Sequence, residues 1–420
     1  YLLGATMRAD GSSRFGKNRR FGYFPSFSLG WRLSEEAFMD NFHQLDDLKL
    51  RASYGFTGNE RIGNFQYLGT WASAVYNGNT GVGPARLPNA NLQWERTNEI
   101  NIGVDASLFD NRVQITADVY RNLTDKLLYS EPIPLTTGYG NIQGNIGKVS
   151  NKGIEFSITS QNTNGELKWT TEFNITRNIN RVEMLANGDT LYRGYTASGV
   201  GATNAILAGQ PLGTFWGLKY LGVDPATGDA IYEDINGDGR ISTEDGQVIG
   251  NAQPDFYGGL TNRFSFKGFD LSVFFHFMYG NSVLNLTNGG LVNAGEEIET
   301  NQSVIALRRW RKEGDVTDVP RYELGNTFNN YHSSRFLEDG SFLRLKNVAL
   351  GYNLPSRWVE KIKLQSLRLF VSGSNLWTLT RYSGVDPEVS TLDGSTTAQG
   401  IDFYTLPQVK TIQGGITLTF

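Results

Sequence analysis

The chain has no cysteine and only three histidines, His43, His276 and His332. Without cysteine there are no disulfides, no thiol catalysis and no thiolate metal site, although this says nothing about compartment. The histidines fall on separate segments without ligand spacing, so they do not form a recognisable metal site. No Ser/His/Asp arrangement or carboxylate pair stands out by spacing, and an enzyme is not expected. Gly140, Gly144 and Gly147 miss the dinucleotide-binding spacing. There is no run of about 18 apolar residues, which excludes a membrane-spanning helix. Membrane strands remain open, because alternating segments of about ten residues average to a hydrophilic score. A net charge of −4 over 420 residues gives no basic footprint, and nucleic acid is not an expected partner.

What the chain does have is glycine, 49 residues of it, and a 12% aromatic share, a composition suited to many strands, tight turns and long loops. The clearest stretch is Leu92 to Leu128. Ile100, Ile102, Val104, Ala106 and Leu108 alternate with Asn101, Gly103, Asp105 and Ser107. After Asp110-Asn111, Val113, Ile115, Ala117 and Val119 alternate with Gln114, Thr116 and Asp118. This predicts a hairpin with one apolar and one charged face.

The same period recurs from Tyr1 to Ala9, Phe27 to Leu33, Leu48 to Phe56, Ile154 to Thr159 and Leu167 to Ile175. It returns from Phe256 to Phe266, Leu271 to Phe277, Leu343 to Leu354, Leu367 to Val371 and Ile412 to Phe420. A slip of apolar phase near Asn347 predicts a bulge. Ser34 to Asp40 reads as a helical turn with Ser34 as N-cap. The count is about twelve strands, with short connections at Asp110-Asn111, Asn162 to Gly165 and Lys267-Gly268 and long ones between. A soluble sandwich, solenoid or propeller would need a second layer over so many apolar stripes. The opposite faces carry Arg51, Asp105, Asp118, Glu155, Lys168, Glu172, Arg263 and Arg344, which suit a wet lumen better than a dry core. The expected fold is an all-β transmembrane antiparallel barrel with long extracellular loops and short periplasmic turns.

Within the long 181–255 region, Asp234, Asn236, Asp238, Gly239, Arg240, Ile241, Ser242 and Asp245 follow the order of a calcium loop. Side-chain oxygens of Asp234, Asn236 and Asp238, the Arg240 carbonyl and the Asp245 carboxylate form the expected ligand set, and Gly239 permits the sharp turn. Asp in place of Glu at the last position shortens the reach. The expected cofactor is structural calcium. Trp71, Tyr76, Tyr139, Tyr192, Tyr195, Trp216, Tyr220, Trp310 and Tyr331 fall in loops or strand tips, where aromatic rings stack on sugars or, more commonly, fill loop cores. Arg308, Arg309, Trp310, Arg311 and Lys312 make a basic knot open to lipopolysaccharide or to a docking partner, though a solvated loop helix is the simpler reading.

Several stretches together resemble the SusC-like family of TonB-dependent outer-membrane transporters. They include RADGSSRFG (Arg8 to Gly16), LKLRASYGFTGN (Leu48 to Asn59), NANLQWERTNEINIGVD (Asn89 to Asp105) and IGKVSNKGIEFSI (Ile146 to Ile158). GQPLGTFWGLKYLGV (Gly209 to Val223), FLEDGSFLRLKNVALGYNLP (Phe336 to Pro355), SGSNLWTLTRYSGVDPEVS (Ser372 to Ser390) and GGITLTF (Gly414 to Phe420) continue the series. The resemblance implies that residues 1–420 are the C-terminal portion of a 22-stranded barrel in the outer membrane of a Gram-negative bacterium. The remaining strands and the plug would then lie in another or an unassigned chain, consistent with a fragment or processed product that begins at Tyr1. It further implies an energised importer of oligosaccharides or peptides, a SusD-like surface lipoprotein as lid, and coupling to the TonB complex through an N-terminal part. The alternatives are a passive pore or adhesin barrel, and a soluble glycan-binding β protein.

Overall fold

The computed structural model describes residues 1–420 except 186, 187, 189, 298 and 393, together with the backbone but not the side chains of Tyr76 and Pro132. Twelve strands form one antiparallel sheet: β1 (Leu2–Gly11), β2 (Phe21–Arg32), β3 (Leu45–Asn59), β4 (Glu95–Leu108), β5 (Val113–Asp125), β6 (Lys148–Asn164), β7 (Leu167–Met184), β8 (Phe256–Phe266), β9 (Phe269–Tyr279), β10 (Phe342–Asn353), β11 (Ser366–Thr380) and β12 (Thr411–Thr419). Their order in the sheet is their order in the chain, and β1 and β12 are its edges. Every alternating stretch expected from sequence is one of these strands. The chain divides into two compact units. One comprises Tyr1–Phe156, Asn178–Asp189 and Leu207–Gly209, and the other Ser157–Arg177, Thr190–Ile206 and Gln210–Phe420.

In the first unit, Leu108 pairs with Val113 across a turn in which Phe109, Asp110 and Asn111 all take positive φ near 60°. Asp and Asn accept this conformation more readily than most residues, so the Asp110-Asn111 break marks the hairpin. The expected N-cap at Ser34 does not form. Two short 3₁₀ turns, Leu33–Glu35 and Ala37–Met39, occupy the stretch, and the Ser34 hydroxyl donates instead to Asp47 at 2.9 Å. The long connection from β3 to β4 contains a further hairpin, Thr70–Tyr76 with Asn79–Arg86. The first two connections, residues 12–20 and 33–44, do not follow the short and long alternation of the later ones.

In the second unit, Lys267 and Gly268 alone join β8 to β9, both with positive φ, the backbone that matches strand twist in a two-residue hairpin. The turn expected at Asn162 to Gly165 is tighter than predicted: β6 continues through Asn164, and only Gly165 and Glu166 remain outside the strands. The bulge on β10 falls at Lys346, where register shifts against both neighbours. It keeps Leu343 and Leu345 on the face of Val348 and Leu350.

Most of the dry interior lies outside the sheet, although Val182, Phe24 and Phe342 on its strands are buried. Ile102 on β4 is 61% exposed and Ile416 on β12 is 65% exposed, whereas Leu284 and Ile401 in the connections are fully buried. The connections have cores of their own. One packs Leu218, Ala230 and Tyr232 against Phe328 and Tyr331, and another packs Phe215, Leu284, Phe336, Ala398 and Ile401. The long 181–255 region carries a four-stranded sheet of Leu191–Arg193, Asn204–Ile206, Thr214–Gly217 and Gln247–Asn251. Ser282–Asn285 pairs antiparallel with Leu337–Asp339 and parallel with Ile401–Asp402, tying the β9–β10 connection to the β11–β12 connection.

Candidate functional site

The polar face of the strands is organised by ion pairs that cross from strand to strand. On β3, Arg51 reaches Asp105 on β4 at 2.7 Å and Asp118 on β5 at 3.1 Å. Gly103 on β4 stands opposite both Arg51 and Asp118, and a β-carbon there would meet the Arg51 guanidinium at 2.8 Å. Glycine is what leaves room for the guanidinium to lie across β4. The same device recurs in the second unit, where Arg368 of β11 pairs with Asp270 of β9 beside Gly351 of β10. Arg263 on β8 also pairs with Glu172 on β7 at 3.1 Å.

The densest cluster lies where the β11–β12 connection meets β9 and β10. Arg344 on β10 is 2% exposed and pairs in a two-pronged arrangement with Asp386. Its Nε lies 2.9 Å from Glu388. The bulge at Lys346 brings that ammonium to Glu388 as well, at 3.2 Å, and His276 Nδ1 on β9 approaches the same carboxylate at 3.2 Å. Asp386 further accepts the N–H groups of Glu388 at 2.9 Å and Gln408 at 3.0 Å. Burial raises the Glu388 carboxyl, but His276, Arg344 and Lys346 outweigh it and hold it down at about 2. Deeper in the connection, Asp402 accepts the Tyr382 hydroxyl at 2.6 Å and the Thr287 hydroxyl at 3.2 Å. Residues 381–410 are thus a strap pinned at two buried carboxylates.

The calcium-loop residues come together as a closed turn. Asp234 accepts the N–H groups of Gly237 at 2.7 Å and Gly239 at 2.9 Å, and Asn236 and Asp238 each accept from the residue two further on, Asp238 from the Arg240 N–H at 2.7 Å. Asp245 is buried and accepts from Ser242 at 2.8 Å and Ile235 at 3.0 Å. The Ser242 and Ile235 amides hold its carboxyl below the usual range. Among the described residues no three carboxylate or imidazole groups are placed to hold one metal ion. Of the aromatics, Trp216, Tyr220 and Tyr331 pack against the first loop core and Tyr195 against the second. Trp71 is exposed on its hairpin, Trp310 donates to the Pro225 carbonyl at 3.0 Å, and the Tyr76 side chain lies outside the described residues. The basic knot is not a helix: a 3₁₀ turn ends at Arg308, which pairs with Asp318 at 2.9 Å.

Sequence reading missed the Arg344–Asp386 pair, because 42 residues separate its members. The available signal was an arginine in a strand whose outward neighbours are leucines, together with a Asp-Pro-Glu turn in the following connection.

Exposed apolar side chains on one face of twelve strands, and charges paired across the other, define the wall of a membrane β-barrel. The TonB dependent receptor-like, beta-barrel family model matches residues 1–376. The chain belongs to the TonB-dependent receptor family, whose members reside in the outer membrane of Gram-negative bacteria. It is 36% identical to TonB-dependent receptor P3 of Formosa agariphila, with 100% of this chain and 44% of that protein covered. It is 32% identical to TonB-dependent receptor SusC of Bacteroides thetaiotaomicron, covering 42% of it. Among solved structures, the RagAB peptide transporter superposes with a TM-score of 0.87 at 27% identity, over 100% of this chain and 46% of that one. The chain therefore spans less than half the length of the relatives it matches.

Proposed function

We propose that the protein acts in an energised outer-membrane importer that takes up oligosaccharides or peptides, with a SusD-like lipoprotein as lid and the TonB complex as energy source. The observation that carries this reading is the likeness along the whole chain to SusC and to a structure named as a peptide transporter. The paired charges of Arg51, Asp105 and Asp118 support it, since a hydrated passage tolerates them and a dry core would not. In this reading the long connections face outward and the turns at Asp110-Asn111, Gly165-Glu166 and Lys267-Gly268 face the periplasm. Uptake by the native host should vanish on deletion of the gene and on collapse of the inner-membrane proton gradient. Uptake that persists without the gradient would indicate a passive pore instead.

Calcium in the 234–245 turn is part of the same proposal. The order of oxygen-bearing residues and the compact turn support it; the several backbone amides already bonded to Asp234 and Asp245 imply that binding re-forms part of that network. Calcium would serve there as a structural clamp held by Asp234, Asn236, Asp238, the Arg240 carbonyl and Asp245.

A further inference from the structure

The connections of the second unit line a pocket of about 220 Å³ beside the helix Leu286–Leu291. It has room for roughly seven water molecules at about 30 Å³ each. Two carboxylates, Glu296 and Glu297, share its wall with Asn330, His332, Phe403 and Tyr404. Glu296 is half-buried, and Asn330 donates to it at 2.6 Å. That partner is neutral. Among the described residues neither carboxylate forms an ion pair with a basic side chain, whereas Asp386 has Arg344 and Asp229 has Arg321 at 2.7 Å.

One more group points to the same kind of guest. His332, 5% exposed, donates from Nε2 to the Trp216 carbonyl at 3.0 Å, which leaves Nδ1 as an acceptor. Burial holds that imidazole down at about 4, so it stays neutral and contributes no positive charge. The wall offers acceptors and negative charge without a cation of its own, and burial of Glu296 makes its carboxylate costly until one arrives. A protonated amine brings three donors and the missing charge, and the rings of Phe403 and Tyr404 suit a cation. A metal ion matches poorly, because no three carboxylate or imidazole ligands converge among the described residues.

We propose that this pocket holds the protonated amine of a transported molecule, supplied by an amino sugar or by an amine-bearing peptide. The inference rests on the importer reading and narrows its substrate class. The test is calorimetric titration of the intact purified transporter with D-glucosamine and with trilysine, each beside its N-acetylated counterpart. The free amines should bind, acetylation should weaken binding at least about tenfold, and Glu296→Gln should cause a similar loss without a change in Tm, the size expected for a charge-assisted hydrogen bond. Preference for glucosamine over trilysine, or the reverse, identifies the source of the amine. Equal binding of the acetylated probes, unchanged binding by Glu296→Gln, or no binding to the unaltered transporter would overturn the proposal. Such a failure leaves gradient-dependent uptake intact, so it is distinguishable from failure of the importer reading.

Discussion

Replacing Arg344 with Met tests whether the strap of residues 381–410 is held by charge. The change keeps a long side chain but leaves Asp386 buried without its cation and removes one partner of Glu388. Breaking a buried pair from one side costs about 3–5 kcal/mol, because the remaining charge has neither water nor a partner. At about 1.4 kcal/mol per tenfold, the open population of the strap near Asp386 should rise by roughly a hundredfold to roughly four-thousandfold. The β-pairing at Ile401–Asp402 is independent of Arg344, so opening should be confined to the part near Asp386 and Gln408. Limited proteolysis of the native transporter reads this population when reclosing outpaces cleavage. New cuts should appear between about residues 383 and 390, while the strands stay resistant. The double variant Arg344→Met with Asp386→Leu should recover most of the protection, since a buried pair replaced by apolar side chains is often neutral. Unchanged proteolysis in Arg344→Met, or a double variant as labile as the single one, would refute the reasoning.

Ile102→Lys places a charge on the face assigned to lipid and should cost about 2–4 kcal/mol if the residue lies near the bilayer midplane. Heat-modifiability on gels should show less folded barrel, whereas Asn101→Lys, on the opposite face, should leave it unchanged. His332 has its folded pKa lowered to about 4 by burial, against 6.5 for the free group. Its contribution is therefore complete above the unfolded value and declines as pH falls from about 6.5 toward 4, by roughly 2 kcal/mol between about pH 7 and pH 5. Hydrogen exchange of the Thr214–Gly217 strand should follow that curve, and His332→Gln should flatten it. Terbium or calcium titration of the 234–245 turn should show a site that Asp238→Ala weakens at least about tenfold; no binding in the unaltered protein would remove calcium from the proposal.

Alternation by itself determined the twelve strands, because every second residue of a strand meets the same medium and the sequence records which one. Ile100 to Leu108 against Asn101 to Ser107 is readable without coordinates, and so is the phase slip near Asn347, since a bulge inserts one residue into that rhythm. Short strands such as Asn204–Ile206 give no such record: three residues cannot display a period, and all three are buried in a sheet between Leu191–Arg193 and Thr214–Gly217. Ser34 carried a local capping signal, yet Asp47, brought near by pairing of β2 and β3, took its hydroxyl instead. The loop cores, the strap pinned by Asp386 to Arg344, and the carboxylates beside His332 that have no ion-pair partner among the described residues were decided only by the tertiary structure. Each depends on residues tens of positions apart being carried to one place by connections whose sequence has no periodicity. Hydrophobic rhythm is a local property of the backbone, whereas the partner of a buried charge is fixed only once the chain has folded around it.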